Sequence, residues 1–186
     1  MLKFYVRLIV ITMLQQFITV QVLATDDIKP DTLNNILTEQ VYIPVGQTTF
    51  SVLFWDLYKS KLLTTSGKYP IELTDEKLLY QINYLTDISS KDLIERTVEQ
   101  WQHLGVPREN FESYVPMLEK IWPDIKEGDS LSLYVSNNKS TFYFNNDLIG
   151  EIEQQEFSQL FLDIWLSKNT SEPKLRLELL GINKDE

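Results

Sequence analysis

Two tyrosines in segments typical of β-strands are the best-placed side chains for recognising a small molecule. Tyr58 follows Trp55 in an aromatic, β-prone run, and Tyr84 ends a run in which apolar and other residues alternate. A tyrosine at the edge of an apolar cleft offers its ring to an apolar ligand and its hydroxyl to a polar group of that ligand. Most aromatic side chains at such spacing nevertheless belong to a core, so both interpretations of these residues stand.

Nucleophilic, metal and cofactor chemistry is poorly supported. His103 is the one histidine and there is no cysteine, so a catalytic triad or a histidine metal site would have to use this residue. It lies near a predicted helix end before Gly105, where a partly positive side chain interacts favourably with the helix dipole. We therefore expect a structural role for it. The acidic residues show no spacing that singles out a catalytic pair. The phosphate-binding and nucleophile-elbow motifs are absent. We predict no catalytic residue, metal ligand or cofactor.

The first 24 residues have the pattern of a secretory signal peptide. Lys3 and Arg7 precede an apolar core, and Val22–Ala24 presents small or aliphatic residues before Thr25. We predict cleavage after Ala24 and a periplasmic or secreted protein, with an uncleaved anchor as the alternative. Removal of this segment changes the net charge from −10 to −12. So acidic a surface repels the phosphate backbones of nucleic acids, which argues against a nucleic-acid partner. It also disfavours binding to anionic lipid head groups.

The rest of the chain divides into a polar lead-in over 25–40 and one domain over 41–186. Period-two alternation and turn residues predict strands over 41–46, 50–65, 78–85, 131–136, 141–144 and 148–152. Gly46 is expected to begin a turn, and Asn137-Asn138 a tight hairpin.

Helical periodicity occupies the intervals between these groups of strands. Ser89 with Asp92 predicts a capped first helix ending at Gly105, and a second helix is expected to kink or divide at Pro116. A third helix carries Phe157 to Trp165, and Ser171 is expected to cap a last one. Because strands and helices are grouped, we predict an α+β fold with a large antiparallel sheet and helices on one face.

Several segments in this order resemble the bacterial chalcone isomerase-like family of exported domains. They are Phe54–Leu62, Tyr84–Ile88, Gly128-Asp129, Phe144–Gly150, Phe157 with Ile164–Leu166, and Leu179–Gly181. The resemblance covers about residues 43–181. It implies an open-faced sandwich with a ligand cleft between sheet and helices. Relatives in plants either cyclise chalcones or bind fatty acids without catalysis.

The residues that the resemblance associates with catalysis are not found in this chain. The plant enzymes use an arginine before the first long hairpin and a threonine within it, but Val45–Tyr58 contains no arginine. Matching Tyr58 to the hairpin tyrosine places the threonine position near Leu53, and Thr48 and Thr49 do not fit. The chain thus resembles the non-catalytic members.

Fatty-acid-binding relatives hold the ligand carboxylate with an arginine and a tyrosine. None of Arg96, Arg108 and Arg176 falls in the matching hairpin. Arg96 is placed to reach the cleft rim, or else to pair with Glu95 or Glu99 on its own helix. We therefore predict a non-catalytic protein that binds a small apolar or amphipathic ligand, such as a fatty acid, through Trp55, Tyr58, Tyr84 and Arg96. The alternatives are an isomerase or lyase for a chalcone-like substrate, and a cell-envelope interaction module without a ligand.

Overall fold

The computed structural model describes residues 32–71 and 76–182. The predicted signal peptide lies outside the described residues. The second half of the predicted lead-in contains a helix, α1 (Leu33–Glu39). Its first turn is capped by Thr32, and backbone amides of Leu33 and Asn34 donate to Asn146 in a distant turn. This part of the lead-in is therefore attached to the fold.

Six strands form one antiparallel sheet in which each strand pairs with the next along the chain. They are β1 (Ile43–Val52), β2 (Trp55–Thr64), β3 (Leu78–Tyr84), β4 (Ser130–Ser136), β5 (Lys139–Phe144) and β6 (Asp147–Ile152). Asn137 and Asn138 have positive φ angles and form the tight β4–β5 turn that the sequence predicts. The predicted α+β architecture with a large antiparallel sheet is confirmed.

Four further helices complete the fold: α2 (Ser90–His103), α3 (Val115–Ile121), α4 (Gln155–Leu166) and α5 (Pro173–Leu179). Ser89 accepts a hydrogen bond from the Asp92 amide, so the predicted N-cap of α2 is present, and the second contact of this pair is from the Ser89 hydroxyl to the Asp92 carboxylate. Within the described ranges no helix combines the length and apolarity needed to cross a membrane.

Alternation along the strands divides the buried residues between the two faces of the sheet. One face carries Leu62, Tyr80, Leu133 and Phe142, which pack with α2–α5 in the main core. The other face carries a small cluster of Leu63, Leu79 and Tyr143, which is covered by Leu33 of α1. The sheet thus has helices on one face, as predicted, and one short additional helix on the other.

Two local predictions are wrong, each for a physical reason, and a third holds in one of its two forms. β1 continues through Gly46, because the missing side chain admits the carbonyl oxygens of Glu178 and Leu179 from α5. The second predicted helix is divided near Pro116, as one of the two alternatives expected: a 3-10 turn at Arg108–Asn110 comes first, and Pro116 lies in the first turn of α3, where its missing N–H disturbs no helical hydrogen bond. Ser171 does not cap α5, which begins after Glu172; its hydroxyl donates to Gln100 instead.

Candidate functional site

A cavity of about 460 Å³ lies between the helix-bearing face of the sheet and helices α2 and α4. Its lining combines residues of β1–β4, the segment 86–88, α2, α4 and the loop 170–172. The volume falls in the range of small-molecule sites. Most of the lining is apolar or aromatic, including Phe50, Leu93, Phe161 and Ile164. The arrangement can enclose an apolar ligand and exclude water from it.

The floor of the cavity is an aromatic row across three neighbouring strands. Phe50 pairs with Tyr58 in the β1–β2 register, and Tyr58 pairs with Tyr84 in the β2–β3 register. The ring centroids lie 5.2 Å apart for the first pair and 6.1 Å apart for the second. Cross-strand neighbours share one face of a sheet, so the register itself places these three rings together. The two predicted tyrosines are adjacent in the structure.

Helix α4 is attached to this row by a side-chain hydrogen bond. Trp165 Nε1 donates to the Tyr58 hydroxyl oxygen at 3.0 Å. The Trp165 ring also packs on Tyr80 and Phe161. Because the indole can only donate, the proton of the Tyr58 hydroxyl remains available to a ligand. No hydrogen bond is found for the Tyr84 hydroxyl among the described residues, so it too can meet a polar group.

Burial keeps both phenols protonated. It raises the pKa of Tyr58 to about 12; the hydrogen bond from Trp165 opposes this effect, and the Glu172 carboxylate adds to it. Burial also raises the pKa of Tyr84, with a further contribution from Tyr58. Both hydroxyls therefore act as neutral hydrogen-bonding groups near pH 7, and neither is a base or nucleophile there.

Several other polar groups around the cavity are already bonded within the protein. The hydroxyls of Thr97 and Thr170 donate to the carbonyl oxygens of Leu93 and Ile164 at 2.9 and 2.6 Å. Ser171 Oγ donates to Gln100 Oε1 at 2.8 Å, which joins the α4–α5 loop to α2 at the rim. These bonds fix the walls, and the hydroxyls of Tyr58 and Tyr84 can still meet a polar group of a ligand.

The rim carries both signs of charge. Arg96 lies among the lining residues but is largely exposed, and its Nη1 is 2.7 Å from Glu99 Oε2. Asp87 and Glu172 also lie in the lining. A hydrogen bond from Lys126 lowers the pKa of Asp87, with a second from the Glu127 amide. Arg96 is thus at the rim of the cavity and is paired on its own helix.

The predicted site residue Trp55 is not brought together with the other three. It lies at the start of β2, is 74% exposed, and is absent from the cavity lining. The reason is the register, because β3 begins to pair with β2 only at Tyr58 and the β1–β2 hairpin extends beyond it. Leu53, the position matched to the threonine of the plant enzymes, is in the turn of the same hairpin.

The remaining chemical candidates lie outside the cavity. His103 is exposed at the end of α2 and is not part of the lining. Among the residues that the structure describes, no group of three histidine, cysteine, aspartate or glutamate side chains is placed to hold a metal ion.

Sequence reasoning missed Trp165, which it assigned to the core alone, and the Gln100–Ser171 contact. Trp165 occupies the same helical face as the buried residues of α4, so no periodicity separates a core tryptophan from one at a cavity wall. Ser171 was recognised for its capping tendency. That tendency gave no signal of a partner 71 residues away.

The fold is therefore an antiparallel meander with a cavity between the sheet and the helices that cover it. The family model described as "Chalcone isomerase-like" matches residues 46–181. The chain therefore belongs to the chalcone isomerase-like family, and the resemblance predicted from the sequence is confirmed.

Two relatives illustrate the range of this similarity. An uncharacterized protein of Haemophilus influenzae is 22% identical over 141 residues, which cover 76% of this chain and 69% of that protein. The crystal structure of a fatty-acid binding protein of Arabidopsis thaliana is similar with a TM-score of 0.55 and 11% identity, covering 75% of this chain and 86% of that one. At this identity the second comparison shows a common fold.

Proposed function

We propose that this protein binds a small apolar or amphipathic ligand, such as a fatty acid, in the cavity and does not transform it. The observation that carries the proposal is the cavity of about 460 Å³, with an apolar lining and the hydroxyls of Tyr58 and Tyr84. Apolar walls with a few convergent polar groups are typical of sites that bind lipophilic molecules. The fold shared with a plant fatty-acid binding protein supports the same ligand class.

The polar end of the ligand is expected at the tyrosine hydroxyls or at Arg96. Tyr58 can donate its proton while it accepts from Trp165, and Tyr84 can donate or accept. A carboxylate at the rim would compete with Glu99 for Arg96 and would face Asp87 and Glu172. The hydroxyl pair therefore suits a neutral or carboxylic head group, and Arg96 adds affinity for an anion.

Two observations favour binding over isomerisation. The phenols that line the cavity are protonated near neutral pH, so they do not supply a base. The one arginine in the lining, Arg96, is at the exposed rim and paired with Glu99, whereas a cyclising enzyme needs a fixed cation beside the reacting phenolate.

The test is direct ligand binding with a blocked cavity as comparison. Native mass spectrometry of the purified protein is expected to show a co-purifying lipophilic molecule, and a fatty-acid panel is expected to raise the thermal unfolding midpoint. Leu93→Trp fills the cavity and should abolish both effects, whereas Leu93→Met conserves volume and should preserve them. Equal binding by the Leu93→Trp variant would contradict a ligand site in this cavity, and turnover of a chalcone would contradict the absence of catalysis.

Export is also part of the proposal. It is supported by the sequence pattern of residues 1–24, with a charged start, an apolar core and a small residue before Thr25. Cell fractionation with sequencing of the mature N-terminus is expected to find the protein outside the cytoplasm and beginning at Thr25. A cytoplasmic protein that retains Met1 would contradict it.

A further inference from the structure

The β1–β2 hairpin ends in four consecutive apolar residues, Val52–Trp55, and all are exposed. Leu53 is 87% and Phe54 97% exposed. These two residues form the turn itself. Scattered exposed apolar side chains are ordinary, but a contiguous group containing leucine, phenylalanine and tryptophan marks an interaction surface.

The conformation of the turn points in the same direction. Leu53 has a φ of 57°, in the left-handed region where glycine is favoured at this position of a two-residue hairpin. A leucine there is strained and, being exposed, gains little from packing. Neither its conformation nor its exposure stabilises the isolated fold.

The exposed turn is continuous with the mouth of the cavity. Val52 belongs both to the exposed group and to the cavity lining, and Leu57, two residues after Trp55, also lines the cavity. Ser51 Oγ donates to Asp56 Oδ1 at 2.6 Å across the base of the turn, so the polar groups flanking the apolar residues are satisfied locally. The hairpin therefore presents an apolar end directly beside the opening to the interior.

We propose that the turn formed by Val52–Trp55 inserts into the interface of a lipid bilayer composed of neutral, zwitterionic lipids. A convex apolar turn needs no preformed groove in a bilayer, and tryptophan and phenylalanine are favoured at the level of the head groups. The segment 51–57 contains Asp56 and no basic residue, and the chain has a net charge of −10. Anionic lipid is therefore repelled, while neutral lipid is accepted.

The proposal goes beyond ligand binding and does not depend on it. If the cavity binds a lipophilic molecule, as proposed above, insertion of the turn places the cavity mouth against the source of that molecule. A ligand would then pass between bilayer and cavity without crossing bulk water.

Flotation with phosphatidylcholine vesicles tests the insertion. The wild-type protein is expected to float with the vesicles, and Trp55, the most exposed of the described tryptophans, is expected to shift its fluorescence to the blue and resist acrylamide quenching. The double variant Leu53→Gly/Phe54→Ser removes both apolar side chains of the turn and relieves the strain at Leu53. Its stability should equal or exceed that of the wild type, while its vesicle affinity falls by at least about tenfold.

The matched control is Val41→Ser, because Val41 is 78% exposed and precedes the opposite end of β1. This variant should float like the wild type. Vesicles in which part of the neutral lipid is replaced by phosphatidylglycerol should bind less protein at low salt, and added salt should restore binding.

Other outcomes would overturn the proposal. They are absence of flotation by the wild type, equal flotation by the double variant, or a concentration-dependent dimer that the double variant abolishes without any vesicle binding. The last result would assign the turn to a second copy of the chain. Binding of a fluorescent fatty acid in the absence of vesicles is measured separately, so a failure of ligand binding and a failure of insertion are distinguished.

Discussion

The indole nitrogen of Trp165 lies 3.0 Å from the hydroxyl oxygen of Tyr58 and donates a hydrogen bond to it. The two residues are 107 positions apart, and this contact joins α4 to the second strand beside the cavity. It orients one of the two tyrosine hydroxyl groups that line the site.

Removal of either partner is expected to cost stability, and the losses should not add. Trp165→Phe and Tyr58→Phe each remove the hydrogen bond, with a net contribution of about 1 kcal/mol. In urea denaturation the double variant should be more stable than the sum of the single effects implies, by a coupling energy of about 0.5–1.5 kcal/mol. Strict additivity would contradict the bond. Trp101→Phe, which removes a separate bond from Trp101 Nε1 to the Leu160 carbonyl oxygen, should show no coupling with Tyr58→Phe.

Alkaline pH is expected to weaken the fold through the buried tyrosines. The pKa of Tyr58 is raised to about 12, above the value near 10 of an unfolded tyrosine. The unfolded chain therefore releases this proton first as the pH rises. The stability contributed by the neutral phenol is complete below about pH 10 and is lost between about pH 10 and 12.

Denaturation curves at about pH 8 and about pH 11 measure this effect. Tyr58→Phe should reduce the decline of the unfolding free energy with pH by up to about 1.4 kcal/mol per pH unit. Tyr80, Tyr84 and Tyr69, whose pKa values are also raised by burial, should maintain the remaining slope. Tyrosinate absorbance that develops fully near pH 10 in the folded protein would contradict the assignment.

Gly46→Ala is expected to be strongly destabilising. A Cβ atom at this position would collide with the backbone carbonyl oxygens of Glu178 and Leu179, which cannot rotate away as a side chain can. Overpacking of this kind costs about 1–3 kcal/mol. The exposed neighbour Gln47 provides the control, since Gln47→Ala should change the free energy of unfolding by no more than about 0.5 kcal/mol. Equal stability of the two variants would show that α5 shifts readily on β1.

Arg96→Gln separates the two roles of this residue. If Arg96 contributes to holding an anionic head group, Arg96→Gln should lower the affinity for a fatty acid about tenfold. The affinity for the corresponding fatty alcohol should not change. The unfolding midpoint should hardly change, because the Arg96–Glu99 pair is exposed.

Arg108→Gln is the matched control for this measurement. Arg108 forms a similarly exposed pair with Glu112 but is not part of the cavity lining. It should affect neither ligand. Equal losses of fatty-acid affinity in both variants would assign the effect to net charge alone and not to the position of Arg96.

Local patterns in the sequence predict most of the sheet. The alternation in β3 and β4, the two asparagines between β4 and β5, and the capping pair Ser89–Asp92 depend on residues close together in the chain, so each pattern carries its own physical cause. Predictions failed where a distant element decided the outcome. Gly46 was interpreted as a turn because nothing nearby reveals that α5 packs against it.

The candidate site divides in the same way. Tyr58 and Tyr84 lie in segments with strand character, and the family resemblance implies a cleft beside that sheet; the register then makes the two residues neighbours. Trp55 is also aromatic and lies on the same strand as Tyr58, but the third strand does not extend to it. The length of a neighbouring strand is a tertiary property that the sequence of the hairpin does not contain.

The packing of α5 on β1 has a consequence for the order of assembly. Neighbouring strands of the meander follow one another in the chain and can pair early in folding. The Thr48 hydroxyl on β1 donates to the Glu178 carboxylate, so this bond can form only when α5 is in place. The loop 170–172 at the cavity rim precedes this helix directly. The sheet can therefore form while its cavity is still open on one side, and the site is completed only when α5 packs on β1.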